Sequence, residues 1–106
     1  MKENSYQQIT QEAAKEMMDT QEVLILDVRE QHEYDSGHIP GSVLLPVGTI
    51  AEGTAAAVID DLDTVVLVYC RSGNRSKTAS QALAALGYTN VYEFGGINDW
   101  PYEIEE

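Results

Sequence analysis

At 106 residues, 43% apolar and 23% charged, the chain fits one soluble domain with one core and is too short for two. A formal net charge of −12 opposes nucleic acid and anionic membrane surfaces, and no run approaches the roughly 20 apolar residues that cross a bilayer. A lone cysteine cannot form an internal disulfide, and with two histidines it offers no zinc-type cluster, so no metal is expected and no cofactor is read.

In chain order, the first eighteen residues are polar and end in a helical pattern, unlike a secretory signal, which favours the cytoplasm. An edge strand is expected near Ile9. Thr10 caps a helix through Thr20 whose inward face is Ala13, Ala14, Met17 and Met18. Val23 to Leu26 is an unbroken apolar run, the pattern of a strand covered on both faces in a parallel sheet. Glu30 to Ser36 reads as a short helix, Ser42 to Leu45 as a short strand, and Thr49 to Val58 as another short helix. Val65 to Tyr69 is the strongest strand. A helix beginning near Ser76 puts Ala79, Ala82, Leu83 and Leu86 on one face, and Gly87 ends it. Asn90 to Phe94 is the last strand. This alternation predicts an α/β fold with a mainly parallel sheet, and no repeat or linker divides residues 1–106, so they form a single domain.

The chemistry concentrates after the strongest strand, in Cys70-Arg71-Ser72-Gly73-Asn74-Arg75-Ser76. Ligands of open α/β sheets bind at the carboxyl ends of strands, which is where this segment lies. Half of the six basic residues, Arg71, Arg75 and Lys77, directly follow the cysteine. Gly73 and Asn74 tolerate positive φ, so the turn can curl its N–H groups around a common centre beside a helix N-terminus. Such surroundings lower a thiol from about 8.5 into the range of roughly 3.5–7.5, making Cys70 a thiolate nucleophile at neutral pH. A cysteine after an apolar strand is, alone, an ordinary buried hydrophobe. A structural cysteine has no need of Gly, Asn and two arginines around it.

Elsewhere, Asp27 and Arg29 end the first strong strand and are expected near Cys70. They either orient the loop or form a structural ion pair, the second being favoured. Ser76 supports the helix start. His38 reads as structural, since a thiolate needs no base; Trp100 and Tyr102 read as core and surface filler, and Glu103 to Glu106 as a solvated tail.

The loop resembles the active-site loop of the single-domain rhodanese family in its thiosulfate-using form. Asp27-Val28-Arg29, Glu33-Tyr34 and Gly37-His38-Ile39-Pro40-Gly41-Ser42 resemble the family's amino-terminal signature, and Gly95-Gly96-Ile97 with Trp100 its carboxy-terminal one. The resemblance implies a three-layer rhodanese-like domain, with a five-stranded, mainly parallel sheet flanked by helices. It implies transfer of the sulfane sulfur of thiosulfate to cyanide or a thiol, with Cys70 as persulfide carrier. Arg71, Ser72, Gly73, Asn74 and Arg75 would form the cradle, with Arg75 on the sulfonate and Arg71 receiving the anion at the rim. The partners implied are a small anionic sulfur donor and a thiol or cyanide acceptor, with a protein persulfide donor or acceptor as the alternative. The related phosphatases need one more residue between cysteine and arginine than the four here, and so a wider ring.

Overall fold

The computed structural model describes residues 5–106. The elements run β1 (Gln7–Gln8), α1 (Gln11–Thr20), β2 (Leu24–Asp27), α2 (Gln31–Ser36), β3 (Val43–Leu44), α3 (Glu52–Val58), β4 (Val66–Cys70), α4 (Asn74–Ala85) and β5 (Val91–Gly96). Single 3-10 turns occupy Val47–Thr49 and Ile97–Asp99. The five strands form one sheet in the order β1-β5-β4-β2-β3, every pairing parallel. No helix among the described residues is long and apolar enough to cross a membrane.

Strand periodicity divides the core into two layers about β4. Val66, Val68 and Cys70 face one side and pack with Leu26, Val28, Ala55 of α3, and Ala79 and Leu83 of α4. Leu67 and Tyr69 face the other, with Ile25, Phe94, Trp100 and Ala14 of α1. With both faces covered, the strands need continuous apolar runs, which is what Leu24–Leu26 and Val66–Tyr69 supply. The Thr10 hydroxyl accepts the Ala13 N–H at 3.0 Å and caps α1 as expected.

Several details refine the expectation. The edge strand is Gln7–Gln8, with Ile9 following it and donating its N–H to the Glu93 carbonyl at 2.9 Å. The Thr49–Val58 segment is interrupted because Ala51 is extended; Thr54 Oγ1 accepts the Ala51 N–H at 2.8 Å and starts α3 afresh. α4 begins at Asn74, two residues before Ser76. Gly73 alone takes the left-handed turn (φ +104°), while Asn74 is already helical and no non-glycine residue among those described has positive φ. The acidic tail is exposed but not merely solvated. Glu105 pairs antiparallel with His38 through backbone bonds of 2.7 and 2.8 Å, anchoring the chain end beside Gly37.

Candidate active site

β4 delivers Cys70 to the carboxyl edge of the sheet, between β2 and β5. The chain then turns sharply, and the turn passes so close to β5 that a methyl group on Gly96 would overlap the Arg71 carbonyl. The Asn98 N–H holds that carbonyl at 3.1 Å. The register of β4 against β5 shifts between Val68 and Cys70, which opens the space. Gly96 is therefore required by the approach of the loop backbone, and Gly95 by its own positive φ of +95°.

Within the turn, Cys70 is 1% exposed, and the Gly73 N–H donates to its Sγ at 3.0 Å. Ser76, on the first turn of α4, places its Oγ 3.5 Å from Sγ. Burial pushes the thiol up. The hydrogen bonds on offer, from the Ser76 hydroxyl and from the N–H groups of Ser76, Gly73 and Ser72, outweigh burial and hold it below its ordinary value. The sulfur closes the apolar layer from within and meets amides at its tip. Donors of the turn and of the head of α4, rather than the arginines, supply this lowering.

Arg71, Ser72 and Asn74 are exposed on the rim, and Arg75 is partly buried. The Arg75 guanidinium grips Glu33 of α2 with two bonds, Nη1–Oε1 at 2.7 Å and Nη2–Oε2 at 2.9 Å. Arg75 is the main reason that the Glu33 carboxyl lies at about 2. The sulfonate role expected of Arg75 thus falls to a guanidinium already bound along one edge. Glu33 is fixed in turn by the Glu30 N–H at 2.9 Å.

Asp27 and Arg29 form a buried ion pair, Nη2–Oδ2 at 2.7 Å. Arg29 also donates to the Gly37 carbonyl at 2.6 Å, and the Tyr69 hydroxyl donates to Asp27 at 2.7 Å. Tyr69 further accepts the Ile39 N–H at 3.1 Å. The pair thus ties residues 37–39 to the strand ends and braces the residue before Cys70, on the face away from the sulfur. His38 stacks on Tyr34 and places Nδ1 2.9 Å from the Tyr34 carbonyl, a structural setting. Trp100 is buried against Phe94, and Tyr102 is exposed.

Two residues escaped sequence reasoning. Glu33 was visible only inside a signature, with nothing local to link it to Arg75, 42 residues on. Glu93 is buried behind the loop and accepts the Ser76 hydroxyl at 2.5 Å. Its signal was there: one acidic residue in the otherwise apolar and aromatic run Val91-Tyr92-Glu93-Phe94.

Comparison with known proteins places these features in company. The family model described as a rhodanese-like domain matches residues 10–102. The chain is similar to the thiosulfate sulfurtransferase PspE of Escherichia coli (strain K12), 39% identical over 74 residues that make up 70% of each chain. It is similar to the thiosulfate sulfurtransferase GlpE of Coxiella burnetii, 33% identical over 96 residues, 90% of this chain and 87% of that one. A solved structure described as rhodanese with anions from E. coli superposes with a TM-score of 0.72 at 32% identity, over 80% of this chain and 99% of that one.

Proposed function

We infer that this chain, which belongs to the rhodanese-like domain family, is a sulfurtransferase that draws sulfur from thiosulfate and carries it on Cys70 as a persulfide. The observation that carries the reading is the Gly73 N–H aimed at Sγ from 3.0 Å, in a turn whose donors favour the thiolate.

The Cys70 thiolate attacks the outer sulfur of thiosulfate. A new S–S bond forms on Sγ as the bond to the sulfonate sulfur breaks, and that electron pair leaves with sulfite. The charge then rests on the terminal sulfur of the persulfide, where the amides of Ser72 to Ser76 and the N-terminus of the 12-residue α4 stabilise an anion. A cyanide ion or an acceptor thiolate next attacks that terminal sulfur. The Sγ–S bond breaks, its electrons return to Sγ, and the product leaves as thiocyanate or as the acceptor's persulfide. Splitting the transfer lets one sulfur serve as nucleophile and then as leaving group. Arg71 draws the dianion to the rim, and the free edge of Arg75 meets its sulfonate. A buried sulfur suits a cargo of one atom. The chain holds a single cysteine, so discharge falls to an external acceptor.

Mass spectrometry after thiosulfate treatment tests this reading, with turnover to cyanide measured beside it. The wild type gains one sulfur atom on Cys70 and produces thiocyanate. Cys70→Ser does neither, and Arg75→Ala turns over with weakened donor use. An unmodified Cys70 after treatment overturns the proposal.

A further inference from the structure

β5 carries a buried carboxylate that the transfer steps above leave unused. Glu93 is 2% exposed and gathers three donors: the Ser76 hydroxyl at 2.5 Å and the Gly95 N–H at 2.9 Å on Oε2, and the Gln8 amide at 3.1 Å on Oε1. With Ser76 Oγ at 3.5 Å from the sulfur and 2.5 Å from the carboxylate, Oε2 lies within about 6 Å of Sγ. The hydroxyl has one proton and three claimants, the Gly95 carbonyl at 3.5 Å being the third. The contact with Glu93 is short and charge-assisted, while the one with sulfur is long.

We propose that Glu93 is a positioning residue that holds the Ser76 proton and so makes Cys70 ionise against a buried negative charge. Ser76 then turns a lone pair toward the sulfur, a geometry that receives S–H and opposes S⁻. The lowering that the Ser76 hydroxyl offers the thiol is realised only when Glu93 releases it, and the amides supply the rest. Loading with sulfur moves the charge one S–S bond outward, from Sγ to the terminal atom and away from Glu93. The carboxylate therefore disfavours the empty thiolate more than the persulfide. It also keeps the nucleophile basic, and thiolate nucleophilicity rises with basicity.

The other charges around the sulfur do not substitute for it. Arg75 of α4 is held by Glu33 of α2, and Arg71 stands exposed on the rim. Lys77 and Asp99, of opposite sign, line the outer groove that Glu93 also touches. This inference deepens the reading above and relies on it for the identity of the nucleophile. Its test reads the thiol without turnover, so the two fail separately.

Glu93→Gln keeps the shape, removes the charge and holds the hydroxyl more weakly. The rate of Cys70 with a neutral pyridyl disulfide is followed against pH. The titration midpoint of the variant falls by about one pH unit, chiefly because the released Ser76 hydroxyl turns to the thiolate, with the removed like charge adding the smaller share. Its high-pH plateau rate falls by about threefold, from a Brønsted slope of about 0.4–0.5. In a Ser76→Ala background the same substitution moves the midpoint by less than half as much. A midpoint that stays or rises in Glu93→Gln overturns the proposal, as does an undiminished shift without Ser76. Should circular dichroism find Glu93→Gln unfolded, Ser76→Ala alone decides. No rise in its midpoint supports the proposal, since the hydroxyl was not serving the sulfur, and a rise of about one unit refutes it.

Discussion

Glu33 and Arg75 come from different helices, and their pairing has a definite pH signature. The Glu33 carboxyl is depressed from 4.5 to about 2, chiefly by its bonds to Arg75. A depressed carboxyl contributes stability that is whole above the unfolded value and is lost as pH falls through the folded one. The urea midpoint of the wild type should therefore exceed that of Glu33→Gln at about pH 6, and the gap should close by about pH 2. A gap independent of pH would assign the contact to packing. Asp27 and Arg29 differ in kind, being buried with no water to replace a lost partner. Arg29→Met strands the Asp27 carboxylate and should cost about 3–5 kcal/mol in urea unfolding. A loss below about 1 kcal/mol would place the pair among those worth little.

β4, the turn and α4 work as one unit because β5 yields at its end. Gly96 permits the Arg71 carbonyl to cross, and Gly73 supplies the left-handed step into α4. Gly96→Ala should push the turn outward and destabilise the fold by about 1–3 kcal/mol. It should also slow pyridyl-disulfide capture of Cys70, because the Gly73 N–H leaves the sulfur. Equal reactivity in a destabilised variant would show that the turn moves as a rigid piece. Both helix positions tied to the site, Ser76 and Arg75, sit in the first turn of α4, so a small shift at its start moves the whole constellation.

The molecule as a whole repels the anion that its loop is shaped to take. A net charge of −12 acts at long range, and salt screens it over about 8 Å at physiological ionic strength, while the loop's amides and cations act inside that distance. The second-order rate with thiosulfate should accordingly hold or rise as salt increases, and an acceptor protein with a basic face should be slowed by the same salt. A steep fall in the thiosulfate rate would mean that local attraction governs encounter and would remove the case for a basic partner.

Periodicity and local chemistry determined much of this in advance. The apolar runs of β2 and β4 require cover on both faces, Thr10 caps its helix through its own hydroxyl, and Cys70 with Gly73 sits where a strand meets a helix. Each depends on neighbours within a few positions, so each is legible in one dimension. What only the tertiary structure decided joins residues far apart in the chain. Arg75 was committed to Glu33, Asp27 to Tyr69, and Ser76 to Glu93. The split of the segment before α3 and the pinning of Glu105 to His38 belong to the same class. A buried donor or acceptor must be satisfied by whichever group packing brings within about 3 Å, and that choice is made by the fold, since no pattern of spacing encodes it.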